Sequence, residues 1–466
     1  MPTILSGLDI ALRALNAQQL GLEITQRNVA NASTPGYTKL RVSFEPATGS
    51  GMDSSQAVAG IEAATVDSFR NSFVEYNISQ ELQGQGEQQA AFDALQQVEA
   101  LFTDKSGQGL QSALSDFFNS FSSLSNAPED PALRQQVLLK AGGLTREFGR
   151  LYDRLQRVQL QQNQIVYDTA EEINSIASKI ARMNTDIFSV QGSQTGDESA
   201  ALDDRQRLLD HLSELVDISY FEDSSGTVTV ETKQGALLVA GAQSKALEIA
   251  PSPQTGFYDV MQDGVDITST IQSGKLAGAL KVRDTTIPAY LKSLDDMAAA
   301  LITDVNLQHA SGSDLNGDQG GDFFTPFVQP PPGGSNAGAA RSISVAITDP
   351  NKIAAAGPGG GPGSNSNALL LAAIKDDLPS LGESADQFYA KLVFQVGSDS
   401  KSADDGLQTQ KNLVQQLQNQ RDSFSGVSLD EEAVNIIKYQ KAYQASARFV
   451  TVLDTLIDDI LRILGG

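Results

Sequence analysis

The first thirty residues carry apolar side chains at alternating spacings of three and four, which is typical of an amphipathic helix in a coiled coil. The pattern predicts a helix over residues 3–30, and the turn residues Pro35 and Gly36 predict its end near Asn31. The predicted seam consists of Leu5, Leu8, Leu12, Leu15, Gln19, Leu22, Gln26 and Val29. We expect this seam to pair with the last helix of the chain.

The last segment, residues 429–464, carries two apolar stripes, so that its final turns are apolar around much of the circumference. Such a helix requires partners on several sides. The residues expected to take part in packing or assembly are Leu429, Tyr439, Tyr443, Val450, Leu453, Ile457, Ile460 and Leu464. Two interpretations stay open: both termini become ordered on assembly with other molecules, or both pack only on the body of their own chain.

Between the termini, helical spacing dominates. Seam spacing continues over residues 144–190 of a helix predicted at 132–190, and an alternating pattern predicts strands around 217–260. Further helices are predicted at 71–102, 108–125, 285–309, 366–375, 383–396 and 402–424, and a further strand at 343–347. Residues 48–55 and 357–364 are rich in Gly with Ser or Pro and predict loops.

These elements predict a mainly α, elongated chain with a smaller β-rich insertion. We expect three domains. Residues 1–40 with 427–466 form a terminal coiled coil, residues 41–216 with 277–426 form a rod of long helices, and residues 217–276 form an outer β-rich domain.

Composition excludes several classes of function. The 466 residues include 33 Lys and Arg against 57 Asp and Glu, a net charge of −24, which argues against nucleic acid or an anionic membrane surface as a partner. Cysteine is absent and only two histidines occur, so few residues are available for a metal centre or a nucleophilic triad. No apolar run approaches 20 residues, so no membrane insertion is expected. The sequence predicts neither an enzyme nor a cofactor.

Three candidate motifs have a simpler interpretation. Residues 314–318 place Asp and Asn at positions 1, 3 and 5 of a calcium-type loop, but Gln319 and Thr325 stand where the pattern needs Gly and Glu. We expect an Asx turn leading to core residues at 323–324. His309 is predicted to pack or cap a helix, and the Gly-rich run at 357–363 lacks a phosphate-loop lysine.

Residues 28–37, Asn-Val-Ala-Asn-Ala-Ser-Thr-Pro-Gly-Tyr, stand at the end of the first helix. This string resembles the N-terminal signature of the flagellar rod, hook and hook-associated axial proteins. The strings at 425–432 and 439–448, with a central block from residue 276 to 324, are similar to the hook–filament junction members of that family.

The resemblance implies a structural subunit of the bacterial flagellum at the hook–filament junction, self-assembling after type III export and located outside the cell. It implies as partners further copies of the chain, hook protein, a second hook-associated junction protein, and a cytoplasmic chaperone at the C-terminal helix. Its signature residues Asn28, Asn31, Thr34, Pro35, Gly36 and Tyr37 are candidate assembly residues, although Tyr37 can equally serve as a local lid. A hook or rod protein and a calcium-dependent extracellular adhesin remain as alternatives.

Overall fold

The computed structural model describes residues 2–46, 61–103, 109–190, 197–328 and 334–464. The N-terminal half contains α1 (Pro2–Asn31), β1 (Leu40–Pro46), β2 (Ile61–Ser68), α2 (Ser72–Phe102), α3 (Leu110–Asn126), α4 (Pro131–Val190) and α5 (Asp197–Leu215). Seven strands follow: β3 (Ile218–Glu222), β4 (Val228–Thr232), β5 (Leu237–Ala240), β6 (Gln243–Ser244), β7 (Glu248–Pro251), β8 (Tyr258–Gln262) and β9 (Val265–Asp266). The remaining α-helices are α6 (Gly274–Lys281), α7 (Ile287–Ala310), α8 (Ala339–Ser342), α9 (Ser366–Ala373), α10 (Ala385–Ser425) and α11 (Leu429–Leu464).

The chain forms two compact units. The first comprises Met1–Gly84, Glu171–Glu248 and Thr409–Gly466. In it α1 packs against α11, and β1 pairs antiparallel with β2, with Val42 opposite Val66. A second sheet has the order β3-β4-β5-β6, and strand β4 alternates as the sequence predicts, burying Val228 and Val230.

The second unit comprises Gln85–Ala170 and Ile249–Gln408. Its core is one large apolar cluster that joins α3 and α7 to parts of α2, α4 and α10. Phe117, Phe121, Phe323 and Phe324 are all fully buried at its centre, with neighbouring ring centroids 5.0–5.7 Å apart. A three-stranded sheet of order β7-β8-β9 lies in the same unit. Aromatic residues that follow the Asx turn therefore anchor the core, as predicted.

The predicted mainly α fold with a smaller β-rich part and paired terminal helices is confirmed. The proposed division into three domains stays a prediction, and the loop predicted at 48–55 lies outside the described residues.

The strand predicted at 343–347 was wrong. Only Val345 forms a β-bridge there, with Phe324. The preceding residues are held as α8, because the buried carboxylate of Asp295 accepts hydrogen bonds from the backbone N–H groups of Gly338 and Ala340, both at 2.9 Å. After α8 the backbone pairs with residues 323–325 through Thr325 N–H to the Ser344 carbonyl and Ala346 N–H to the Phe323 carbonyl, both at 2.9 Å, which gives one isolated bridge and no longer ladder.

The helices predicted at 383–396 and 402–424 are one continuous helix, α10. Tertiary contacts hold the polar stretch from 397 to 401 within the helix. Ser400 is buried and donates to Glu99 Oε2 at 2.7 Å, and Lys401 pairs with Asp405 one turn later. Packing outweighs the low helix propensity of the intervening Gly397 and Ser398.

Candidate functional site at the terminal helices

The chain leaves α1 through a tight turn at residues 34–37, whose residue types favour a turn. Tyr37 N–H donates to the carbonyl of Thr34 at 3.2 Å, and Gly36 adopts φ +78°. Pro at the second and Gly at the third position are what a type II turn requires, since the third residue must take positive φ. The turn sends the chain from α1 back towards strand β1.

Asn28 joins this turn to three other segments. Its side-chain amide donates to the Leu40 carbonyl at 2.9 Å, and its side-chain oxygen accepts from Leu40 N–H at 3.0 Å. The same oxygen accepts from the Tyr37 hydroxyl at 2.9 Å, and the amide also donates to Glu432 Oε1 at 3.2 Å. One fully buried carboxamide therefore ties together α1, the turn, β1 and α11. We call these four residues the Asn28 cluster.

Burial dominates the electrostatics of the Asn28 cluster. Desolvation raises the pKa of Glu432, against the hydrogen bonds from Asn28 and Asn435 that favour the carboxylate. Desolvation also raises the pKa of Tyr37 to about 12, so its hydroxyl stays protonated as the donor to Asn28. These groups hold the four segments together through their mutual hydrogen bonds.

A second polar cluster fixes the chain just after the turn. Asp203 on α5 accepts from Thr38 N–H at 3.1 Å and from Arg70 Nη2 at 2.6 Å. Arg70 also lies 3.5 Å from Glu75 on α2, and both carboxylates are buried. Because Arg70 serves two carboxylates, the turn, β2, α2 and α5 are connected through a single guanidinium.

Glu75 makes the stability of the first unit depend on pH. Burial raises its pKa to about 7, opposed by Arg70 and supported by the negative charges of Asp210 and Asp203. The pKa of Glu75 is higher in the folded than in the unfolded state. The stabilising contribution of its protonated form is therefore fully present below about pH 4.5 and is lost as the pH rises to about 7. We expect the first unit to lose about 2–3 kcal/mol between pH 5 and 8 from this group.

Glu75→Gln should flatten that pH dependence, measured as urea unfolding midpoints from pH 5 to 8. Glu23→Gln, an exposed carboxylate on α1, is the matched control and should leave the slope unchanged. An identical slope in wild type and Glu75→Gln would contradict an ionisable group of this kind at position 75.

The face by which α1 contacts α11 consists mainly of Gly and Ala residues. An added Cβ at Gly21 would lie 2.8 Å from the Tyr439 ring, and one at Gly7 would lie 3.5 Å from Leu453. The partly or fully buried residues of this face are Gly7, Ala11, Ala14, Ala17, Gly21, Ile24 and Asn28. They follow the same spacing of three and four as a coiled-coil seam, so small side chains let the two helix backbones approach closely.

The leucine seam predicted for this contact lies one residue further along, about 100° around the helix. Leu12 remains 47% exposed and Val29 40% exposed, while Leu8, Leu15 and Leu22 are half-buried. The expectation that this seam is the pairing face with α11 was therefore wrong at Leu12 and Val29. The large apolar residues predict the leucine seam, whereas the glycines and alanines of the observed face repeat with the same period. The Leu5 side chain lies outside the described residues.

On α11 the predicted residues divide in the same way. Tyr439 and Leu453 are buried, and Val450, Ile457 and Ile460 are half-buried. Large apolar side chains remain exposed along the rest of the helix: Leu429, Val434, Ile437, Tyr443, Phe449, Val452, Leu456 and Ile463. The side chain of Leu464 lies outside the described residues. Pairing within the chain thus uses only one side of α11.

Comparisons with known proteins decide the family. The family model for the helical domain of the flagellar hook-associated protein FlgK matches residues 95–324, and models of basal body rod proteins match residues 8–38 and 418–463. The flagellar hook-associated protein 1 of Bacillus subtilis is 30% identical over 509 aligned positions, covering 100% of this chain and 99% of the relative. The chain belongs to the flagellar hook-associated protein 1 family. The predicted family is confirmed.

Other members of the hook-associated protein 1 family agree. The Escherichia coli protein of that name is 24% identical, with 98% of this chain and 99% of that protein aligned. The structure of the flagellar hook junction protein FlgK from Burkholderia pseudomallei superposes with a TM-score of 0.66 at 17% identity, covering 75% of this chain and all of that one. That likeness supports the shared fold.

In this hook-associated protein the calcium-type loop is occupied by a lysine. Asp314 Oδ1 accepts from the backbone N–H groups of residues 316 and 318, which is the predicted Asx turn. Lys352 Nζ lies 3.0 Å from Asp314 Oδ2 and 3.1 Å from Asp318 Oδ2, where it supplies the positive charge. Within the described ranges, no group of three or more potential metal-binding side chains comes together.

The predicted packing role of His309 is confirmed. The ring is buried, its Nδ1 lies 2.7 Å from the Gly321 carbonyl, and its Nε2 accepts from Ala354 N–H at 2.9 Å. Because Nε2 is an acceptor, the neutral ring is the form that fits, and burial lowers the pKa of His309. Among the helices in the described part of the chain, none combines the length and apolar character needed to cross a membrane.

Proposed function

We propose that the protein is a structural subunit of the bacterial flagellum at the junction between hook and filament, where its paired terminal helices assemble with other subunits. The observation that carries this proposal is the apolar surface that α1 and α11 leave uncovered after pairing with each other. It includes Leu12 and Val29 of the leucine seam and an exposed stripe of α11 formed by Phe449, Leu456 and Ile463. An exposed apolar surface of this extent on two long helices marks an interaction site.

Helix α1 has two contact surfaces, the small-residue face and the leucine seam, and we propose that they bind different partners. The small-residue face fixes the partner within the chain, and the exposed members of the leucine seam, Leu12 and Val29, remain available to helices of neighbouring copies. The Asn28 cluster and Asp203 hold the signature turn rigid relative to α5, so that the exposed stripes are presented in one orientation. A mechanical role requires such rigidity, because each subunit must place its neighbours reproducibly.

Family membership places the protein in the flagellum and among hook and filament components. We propose, as finer detail, that it is exported and acts outside the cell, with hook protein on one side and a second hook-associated junction protein on the other. A cytoplasmic chaperone covering the C-terminal helix before export would suit the exposed apolar residues of α11. The proposed role needs no catalytic step.

Complementation of a deletion strain tests the junction role. We expect deletion of the gene to give hooks without filaments, with filament subunits released into the medium, and the wild-type gene to restore filaments. Leu456→Glu, which places a charge on the exposed stripe of α11, should fail to restore them, because an unpaired charge is costly in an apolar contact.

Gln444→Glu adds the same charge at an exposed polar position of α11 and is the matched control that should restore filaments. Electron microscopy of cells and immunoblots of the medium give both readouts. Normal filaments in the deletion strain would overturn the junction role, and full complementation by Leu456→Glu would remove the α11 stripe from it.

A further inference from the structure

The guanidinium of Arg70 lies between two buried carboxylates and is shared unequally. Its Nη2 lies 2.6 Å from Asp203 Oδ1, whereas its Nη1 lies 3.5 Å from Glu75 Oε2. Its Nε is buried and bonds to no atom in the part of the chain that the structure describes. Arg70 is therefore bound closely by Asp203 and only loosely by Glu75, with one donor left over for a different arrangement.

The protonation state of Glu75 controls how strongly it attracts Arg70. Burial raises the pKa of Glu75 to about 7, so the side chain is uncharged in mildly acidic solution. Above that pH Glu75 carries a charge, and the same guanidinium then faces two anions. Because a charge-assisted pair is stronger than a hydrogen bond to a neutral carboxyl, ionisation draws Arg70 towards Glu75 and away from Asp203.

The other charged groups nearby leave this competition in place. The charged and titratable groups around Glu75 are Arg70 before α2, Asp203 and Asp210 on α5, Tyr220 on β3 and Arg421 on α10. Burial raises the pKa of Asp210 and of Tyr220, so neither group supplies a cation. Arg421 Nη2 already lies 3.0 Å from Asp422. Among the described residues, Arg70 is the cation that forms an ion pair with Glu75.

Asp203 has a second position available to it. In the observed position its Oδ2 accepts from Thr38 N–H at 3.1 Å. A cavity of about 290 Å³ lies beside it, lined by Arg27, Arg207 and one further carboxylate, Asp204, which pairs with Arg207. A buried carboxylate that loses its counter-charge is costly. Without Arg70, Asp203 is therefore better placed in the cavity, where it meets cations and solvent.

We infer that Arg70 and Asp203 form a pH-operated latch on the turn at residues 34–37. While Glu75 is neutral, Arg70 holds Asp203 in place, and Asp203 binds Thr38 N–H. When Glu75 ionises, Arg70 moves to it, Asp203 turns into the cavity and the Thr38 amide is released. The Asn28 cluster does not include Arg70 and stays closed. The latch goes beyond the proposed junction role and does not depend on it.

Residue-resolved hydrogen exchange on the full-length chain tests the latch. The protection factor of the Thr38 amide, which removes the intrinsic effect of pH, should fall at least about tenfold between about pH 5.5 and about pH 8.5. That of the Leu40 amide, which donates to Asn28 Oδ1, should change by less than about twofold. A constant protection factor at Thr38 would overturn the latch, and an equal fall at both amides would overturn its confinement to Asp203.

Glu75→Gln is the matched variant, because its amide stays uncharged at every pH. The Thr38 protection factor should then remain at its low-pH value throughout. Glu23→Gln, at an exposed position of α1, should behave as wild type does. A fall in Glu75→Gln as large as in wild type would overturn the role of Glu75.

Carbon NMR of the Glu75 carboxyl provides a check that needs no substitution. In wild type, the midpoint of its titration should coincide with the midpoint of the Thr38 response to within about half a pH unit, since one ionisation drives both. Midpoints further apart than this would show that the two events are not coupled and would overturn the latch.

Discussion

Asn28→Ala is expected to lower the free energy of unfolding of the first unit by about 3–5 kcal/mol. The substitution leaves the N–H and the C=O of Leu40 buried without partners and removes hydrogen bonds to Tyr37 and Glu432. Each buried polar group left unpaired costs about 1–3 kcal/mol. Urea unfolding followed by circular dichroism gives the overall loss, and exchange of the Leu40 amide reports the cluster directly.

Asn31→Ala is the matched control for this variant. Asn31 stands one turn later on α1, where its side chain donates to the Arg27 carbonyl and accepts a long, exposed hydrogen bond from Thr34. No buried group depends on it alone, so its loss should cost less than about 1 kcal/mol. Equal effects of the two substitutions would mean that the Asn28 cluster does not hold the segments together.

The signature string shows how far sequence can lead. Thr34-Pro35-Gly36 predicts its turn because Pro fixes φ and Gly permits positive φ, and both are properties of single residues. The partners of Asn28 are a different matter. Glu432 is 404 positions away, so no local pattern could reveal that their side chains meet. Only the resemblance to a family marked Asn28 as a residue of interest.

The long helices were predictable because periodicity is a local property repeated many times. The 60 residues of α4 and the 36 residues of α11 each show it over many turns. Where one helix carries two periodic patterns, the shape of the partner helix determines which of the two faces it contacts. On α1 the large apolar residues predict one pairing face, but α11 contacts the small residues, since Tyr439 fills the space above Gly21.

The polar connections of α5 were equally hidden from the sequence. Asp203 and Asp204 are neighbours that look alike as a solvated acidic pair, yet Asp203 is buried and binds Arg70 and Thr38. Asp204 instead pairs with Arg207 on the exposed side of the same helix. Adjacent residues on a helix point about 100° apart, so one of the two faces the core and the other faces solvent. The sequence alone does not reveal which of them faces the core.

Gly21→Val is expected to separate the terminal helices and to lower the stability of the first unit by about 3 kcal/mol. A Cβ at position 21 would lie 2.8–2.9 Å from three atoms of the Tyr439 ring, which is closer than carbon atoms pack. The ring is buried and packs edge-on against Phe44, at 6.3 Å between centroids, so it has little freedom to move. Overpacking of this kind typically costs about 1–3 kcal/mol or more.

Gly7→Ala is the matched control on the same face of α1, two heptads earlier. Its Cβ would lie 3.5 Å from Leu453, an ordinary contact, and Ala favours a helix over Gly by about 1 kcal/mol. We therefore expect unfolding midpoints to be unchanged or raised by Gly7→Ala and lowered by both Gly21→Ala and Gly21→Val. Equal tolerance at both glycines would show that the close approach at Tyr439 is not required.

Tyr439→Leu tests whether the tyrosine ring is the cause. If Gly21 is required only because the ring lies above it, Gly21→Ala should cost less in the Tyr439→Leu background than in wild type, by about 1 kcal/mol or more. Simple addition of the two single effects would place the requirement for glycine elsewhere on α1. Because the same contact orients the exposed stripes, Gly21→Val should also fail to restore filaments in the deletion strain, whereas Gly7→Ala should restore them.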